Sequence, residues 1–140
     1  MRIYLGASVL VALLTADALT ARAETYLARE APLVVVSDFA KAEFASAIAR
    51  RLRTGGLDMS AAREAFGHLD TWAAMVADAI DTSASDVAEA GTFLRRLDLT
   101  LRTPDALNLA LCRRASAALM TFDVKMASCA KALGIDVVAA

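Results

Sequence analysis

Short apolar runs alternate with longer amphipathic segments along this chain of 140 residues. Four runs are too short for helices and are flanked by polar or turn residues, which predicts strands buried on both faces. The predicted strands are residues 3–5, 33–36, 118–121 and 135–138. Because helices separate most of these strands, we expect an α/β fold with a mostly parallel sheet between two helical layers. No linker or repeat interrupts the pattern, so we expect one domain over residues 1–140.

The amphipathic segments have recognisable helix ends. Residues 58–76 carry apolar side chains at steps of three and four, which predicts a helix with one buried face. The segment 38–53 ends in arginines before two glycines, and Thr103 begins another helix with proline and aspartate in its first turn. Two further helices are predicted at 85–97 and 123–134.

The first residues, MRIYLGASVLVALL, fit two interpretations. One arginine followed by uncharged residues from 3 to 16 resembles a secretory signal, but the same stretch also fits a strand that turns at Gly6 into an apolar helix. Removing the chain up to Ala23 would delete the predicted strand and Ser8. We therefore expect a strand and a cytoplasmic protein.

Composition narrows the classes of function. The chain is 58% hydrophobic with a mean hydropathy of +0.49, but no apolar run reaches the ~18 to 20 residues that a membrane-spanning helix needs. The net charge is -1, so a polyanion has to be bound through a local patch or through cations. Cys112 and Cys129 have no partner at metal-ligand spacing, and we expect both to be buried free thiols. His68 has no nucleophile near it in sequence and is expected on an exposed helix surface.

Polar residues follow the predicted strands where a parallel sheet places its sites. Gly6 and Ser8 follow the first predicted strand, and Glu43 lies in the helix after the second. Asp123 follows the strand predicted at 118–121, and Asp105 lies at the start of the helix that leads into that strand. Taken singly, Asp105 and Asp123 fit helix caps and Glu43 fits a solvated position. Taken together, carboxylates crowded at one sheet edge repel one another, and a divalent cation relieves that repulsion.

The order of these motifs resembles that of a known family. The chain reads IYLxxSVLVALL, SDFAKAEFASA, LRTPDALNLA and then LMTFDVKMAxxAxxLGI. This pattern resembles the PIN domain, and most closely the VapC toxins of bacterial toxin-antitoxin pairs. The resemblance covers nearly the whole chain, and its most specific part is PDAL followed by TFD and AxxLG.

The resemblance implies a ribonuclease that depends on Mg²⁺ or Mn²⁺. It assigns Glu43, Asp105 and Asp123 to the catalytic metal site, with Ser8 and Thr121 as supporting hydroxyls. The family's first strand normally ends in LDxS, and Gly6 stands here in place of that aspartate. Losing a metal ligand should cost at least the ~10 to 100-fold that loss of a supporting residue costs, so we expect impaired activity. The glycine fits a degenerate copy or, as we favour, an aspartate-to-glycine change that permits production of a toxic protein.

The resemblance also implies partners: a VapB-like antitoxin, an RNA substrate such as a tRNA, a second copy in a homodimer, and DNA only through the antitoxin. The helices over 38–76 resemble the antitoxin groove. Arg50, Arg51 and Arg53 are candidate contacts for RNA or antitoxin, although they also complement the helix dipole. Two alternatives stay open: an inactive protein that binds an antitoxin and represses its operon, and a nuclease acting on structured DNA.

Overall fold

A parallel sheet is the centre of the computed structural model, which describes residues 1–138. Its strands lie in the order β3-β2-β1-β4, and each neighbouring pair is parallel. The strands are β1 (Arg2–Leu5), β2 (Leu33–Ser37), β3 (Ala77–Ile80) and β4 (Ala118–Met120). This arrangement confirms the predicted parallel sheet.

Seven helices pack around the sheet within the described residues. They are α1 (Ala7–Leu14), α2 (Thr20–Glu30), α3 (Asp38–Arg53), α4 (Met59–Val76), α5 (Ala84–Arg95), α6 (Thr103–Arg114) and α7 (Val124–Ala132). Side-chain caps fix several starts, since Ser37 accepts a hydrogen bond from Ala40 N and Asp58 accepts one from Ala61 N. The helices predicted at 38–53, 58–76, 85–97 and 123–134 and the helix start at Thr103 are confirmed, with ends that differ by no more than two residues.

The two faces of the sheet bury separate apolar clusters. Ile3 and Leu5 of β1 pack with residues of α1, α2, α3 and α4, whereas Tyr4 between them packs with residues of α5, α6 and α7. All three side chains are fully buried, as the period of two in a strand requires when both faces are covered. The three-layer α/β/α prediction is therefore confirmed.

The predicted strand at 135–138 is wrong. Only a single parallel bridge joins Val137 to Leu119, and Ile135 is buried in the core beside α7. The run is apolar because it fills space next to β4, so hydrophobicity alone did not distinguish a strand from a packed terminal segment.

Two elements, α2 and β3, were not predicted from the sequence. Helix α2 has a polar composition, and β3 follows α4 without a turn residue between them, so neither gave a clear pattern. Helix α1 ends at Leu14, and Asp17 lies in the turn before α2, where its carboxylate accepts a hydrogen bond from Leu19 N.

Other sequence predictions agree with the structure. Cys112 and Cys129 are buried and unpaired. His68 lies on α4 with its side chain 60% exposed. Among the helices of residues 1–138, none is both long and apolar enough to span a membrane.

Candidate active site

The predicted site residues gather at the carboxyl ends of the parallel strands. Gly6 follows β1, Ser37 ends β2 and begins α3, and Thr121 follows β4. Neighbouring parallel strands end at the same sheet edge, so these positions are brought together by the fold. Glu43 reaches this edge from the second turn of α3, and Asp105 reaches it from the first turn of α6.

Gly6 occupies a position that the backbone would allow to any residue. Its φ of -71° and ψ of 162° are ordinary extended values, and its N–H donates to Met120 O at 3.0 Å. A Cβ atom added to Gly6 would lie 3.5 Å from Thr121 Oγ1, which is ordinary van der Waals contact. The fold therefore does not require glycine here, and a larger side chain would be directed towards Thr121.

Ser8 and Thr121 form a hydroxyl pair beside Gly6. Their oxygens are 3.4 Å apart, Ser8 Oγ accepts from Phe122 N at 3.0 Å, and Thr121 Oγ1 accepts from Asp123 N at 3.1 Å. These bonds fix the turn between β4 and α7. The predicted supporting role is thus accompanied by a structural role in holding the backbone that carries Asp123.

A buried amide holds the carboxylate of Glu43. Asn108 lies one turn after Asp105 on α6, is 3% exposed, and donates from Nδ2 to Glu43 Oε1 at 2.6 Å and to Pro104 O at 3.0 Å. With both amide hydrogens engaged, Asn108 fixes the orientation of Glu43 relative to the start of α6.

This contact continues into the core as a directed chain of hydrogen bonds. Tyr4 donates its hydroxyl proton to Asn108 Oδ1 at 2.6 Å, and Tyr4 Oη is also 2.6 Å from Ser37 Oγ. Because the single Tyr4 proton is committed to Asn108, Ser37 must be the donor of the second bond. Four side chains on β1, β2, α3 and α6 are thereby linked in one direction, from Ser37 to Glu43.

Electrostatics disfavour the charged form of Glu43. Burial raises the pKa of its carboxyl, the Asn108 hydrogen bond opposes that shift, and the negative charge of Asp105 raises the pKa further. Glu43 makes no ion pair with any residue in 1–138. Its neighbours therefore supply hydrogen bonding but no compensating positive charge.

Asp105 and Asp123 each cap a helix, as their local sequence predicted. Asp105 Oδ2 accepts from Arg102 N, and Asp123 Oδ1 accepts from Met126 N, both at 3.0 Å. Both side chains also line one surface cavity of about 260 Å³. Asp105 thus has two connections within the site: an electrostatic one to Glu43 and a shared cavity with Asp123.

The three acids do not form a complete metal site. Carboxylate oxygens suit Mg²⁺ or Mn²⁺, and burial together with the negative charge of Asp105 raises the pKa of Glu43. However, within residues 1–138 no three Asp, Glu, His or Cys side chains lie close enough together to hold a metal ion. Gly6 adds no oxygen ligand at this edge. The donor type fits a hard cation, and fewer than three such donors lie together in residues 1–138.

The arginines of α3 lie away from this edge. Arg50, Arg51 and Arg53 occupy the last turn of α3, roughly 10 to 15 Å along the helix from Glu43 at 1.5 Å per residue. Arg51 donates to Thr15 Oγ1 at 3.1 Å and lies 3.9 Å from Asp17. Their role in binding RNA or an antitoxin stays a prediction.

Sequence reasoning missed Tyr4 and Asn108. Asn108 interrupts an otherwise apolar run three residues after Asp105, which places both on one face of α6 and was the available signal. Tyr4 offered no such signal, because an aromatic residue in a buried strand ordinarily indicates core packing.

Comparison with known proteins supports one family. A family model described as PIN domain matches residues 3–138. No curated protein sequence matches the chain.

Solved structures with the same fold span nearly the whole chain. The VapC20 toxin of Mycobacterium tuberculosis, described as cleaving the sarcin-ricin loop, has a TM-score of 0.75 and 22% identity over 97% of this chain and 98% of its own. VapBC2 from Rickettsia felis, bound to a DNA fragment of its promoter, has a TM-score of 0.70 and 18% identity, covering 99% and 98% of the two chains. FitAcB from Neisseria gonorrhoeae has a TM-score of 0.73 and 16% identity, covering 98% and 96%. At these identities the likeness shows the fold.

Proposed function

Because this chain belongs to the PIN domain family, we propose that it is the toxin component of a cytoplasmic toxin-antitoxin pair, and an endoribonuclease impaired at one position. In this proposal Glu43, Asp105 and Asp123 are the catalytic, metal-binding residues for Mg²⁺ or Mn²⁺. Ser8 and Thr121 support them. The reaction is hydrolysis of RNA phosphodiester bonds, and Gly6 lowers its rate by withholding one carboxylate.

The environment of Gly6 is the observation that carries this proposal. Its ordinary φ and ψ and the open contact distance of 3.5 Å to Thr121 Oγ1 would accept an aspartate without a backbone change. The position ends β1 at the edge where the other acids gather. A glycine that the fold does not need stands at the position where the family motif has its first aspartate, which supports the loss of one carboxylate there.

The partners follow from the same proposal. VapBC2 is described as bound to a DNA fragment of its promoter and FitAB as bound to the IR36 DNA fragment, and with the family resemblance this supports a VapB-like antitoxin as partner of this chain. VapC20 is described as cutting the sarcin-ricin loop, which supports RNA as the substrate class. We extend the proposal to a homodimer that reaches DNA only through its antitoxin.

A second function is favoured by one observation. The lack of a three-ligand group in residues 1–138 fits a protein that no longer cleaves and acts by binding an antitoxin and repressing its operon. The two functions differ in what restoration of the missing carboxylate achieves.

Replacing Gly6 separates these functions. We expect Gly6→Asp to cleave RNA in Mn²⁺ and to arrest growth when expressed, because it supplies the missing oxygen ligand. Gly6→Asn is the matched control, since it has nearly the same shape without the charge. Cleavage of labelled RNA by the aspartate variant alone supports the impaired-ribonuclease proposal. Equal inactivity of all three proteins, each folded, favours the antitoxin-binding alternative.

Metal binding gives a readout independent of cleavage. Titration calorimetry with Mn²⁺ should show at least about tenfold tighter binding to Gly6→Asp than to Gly6→Asn or the parent. Mn²⁺ should also raise the melting temperature of the aspartate variant most, because a cation that binds only the folded state stabilises it. Tight Mn²⁺ binding by the unchanged protein would contradict the role given to Gly6.

A further inference from the structure

A cavity beside two of the candidate catalytic acids carries basic residues that the proposed function has not used. It is lined by residues 99–102 before α6, by Asp105, and by Asp123 and Lys125 at the start of α7. Its volume is about 260 Å³, just below the ~300 to 1,000 Å³ of sites for drug-sized molecules. A cavity of this size suits one small chemical group of a ligand better than an entire large ligand.

The cavity is lined by two basic and two acidic side chains that do not form ion pairs with one another. Neither Arg102 nor Lys125 forms an ion pair with any residue of the described chain. Asp105 and Asp123 instead accept hydrogen bonds from backbone N–H groups at the starts of their helices. The two cations therefore keep their donors available to a ligand.

We propose that this cavity is a phosphate subsite, in which Arg102 and Lys125 bind an RNA backbone phosphodiester next to the candidate catalytic acids. This inference rests on the proposed function. The chain has a net charge of -1, so RNA has to be attracted by a local group of cations. Arg102 offers several donors on one planar group and Lys125 offers a compact charge, and both groups bind phosphate.

The placement of the cavity also favours an RNA ligand over a free anion. A phosphodiester bound there lies against Asp105 and Asp123, with neighbouring nucleotides extending out over the open surface. The arginines in the last turn of α3 do not line this cavity. Contacts at Arg102 and Lys125 would thus position the strand for cleavage.

The test measures binding without cleavage. Fluorescence anisotropy with a labelled single-stranded RNA, in EDTA and over a series of salt concentrations, gives the slope of log K against log salt. The double variant Arg102→Gln/Lys125→Gln should bind more weakly, and its slope should be smaller by about 0.7, since both residues bind one phosphate and each phosphate neutralised on a single strand contributes about 0.7. The control Arg95→Gln/Lys131→Gln removes the same charge from exposed positions outside the cavity lining.

The outcomes distinguish this proposal from the one it rests on. If the control loses as much slope as the cavity variant, or neither loses any, the phosphate subsite is wrong, and RNA cleavage by Gly6→Asp still stands on its own. If the parent protein binds no RNA and Gly6→Asp cleaves none, the proposed function fails as well. A loss confined to the cavity variant, with unchanged circular dichroism, supports the subsite.

Discussion

Two carboxylates, Asp86 and Glu43, each lie in the helix that follows a strand, yet their surroundings are opposite. Asp86 is 2% exposed and receives two hydrogen bonds from Arg114, at 2.8 and 2.9 Å, with further bonds from Ser83. The Arg114 hydrogen bonds lower the pKa of Asp86. Glu43 has a neutral amide as its partner, and burial raises its pKa.

The difference separates a structural acid from a candidate functional one. Asp86 has its counter-charge within the fold, so its burial joins α5 to the end of α6. Glu43 is held in place by Asn108 and makes no ion pair in residues 1–138, so its carboxylate is open to a bound cation. Rigid positioning without charge compensation is what a cation-binding acid requires.

The largest expected effect on stability comes from breaking the ion pair between Asp86 and Arg114. Arg114→Met should lower the free energy of unfolding by about 3 kcal/mol, because it leaves the Asp86 carboxylate buried without a counter-charge. The estimate is at the lower end for buried pairs since the Arg114 side chain is 42% exposed. Urea unfolding at neutral pH measures it.

An exposed pair provides the control for that measurement. Arg96→Met breaks the contact with Asp98, whose side chain is 56% exposed, and should lower the free energy of unfolding far less than Arg114→Met does. Similar losses in both variants would show that burial of Asp86 does not matter, and the contrast with Glu43 would lose its basis.

The next effect tests the neutral hydrogen-bond chain that holds Glu43. Asn108→Leu should lower the free energy of unfolding by about 2 kcal/mol, because it leaves the Tyr4 hydroxyl proton without its acceptor and the Glu43 carboxylate without its amide donor. Adding Tyr4→Phe should recover part of this loss, since a buried donor without an acceptor is removed. A double-mutant cycle from urea unfolding gives the coupling. Strictly additive losses would contradict a continuous chain from Ser37 to Glu43.

The strands of the sheet differ in how far the sequence predicts them. Residues 3–5, 33–36 and 118–120 are β-branched or apolar runs between turn signals, so local patterning was sufficient. β3 reads ADAI and follows a helix directly, so its strand geometry comes from pairing with β2 rather than from its own residues. Tertiary pairing of that kind has no local signal.

The site was predictable in position but not in geometry. The carboxyl ends of the strands indicated Gly6, Ser8, Glu43 and Thr121 from topology alone. The sequence did not reveal that Tyr4 and Asn108 connect this edge to the core, because their contacts join β1 to α6 across more than a hundred residues. Such long-range polar contacts are visible only once the fold is known.

The smallest effect is the pH dependence contributed by Glu43. With its pKa raised, the folded state binds the proton more tightly than the unfolded state. The stabilisation from Glu43 is therefore full below the ordinary pKa of 4.5 and is lost as the pH rises through the folded value. Glu43→Gln removes this loss, so the variant should gain on the parent by less than about 1 kcal/mol as the pH rises through that window.

Asp86 should behave in the opposite way. Its lowered pKa gives stabilisation that is present above the ordinary value of 3.8 and is lost as the pH falls through the folded value. Asp86→Asn should therefore lose most relative to the parent near neutral pH and least in acid. Urea unfolding over a pH series measures both variants. Parallel pH profiles for Glu43→Gln and Asp86→Asn would mean that the two carboxylates do not differ in charge compensation, and Glu43 would then have no electrostatic need for a bound cation.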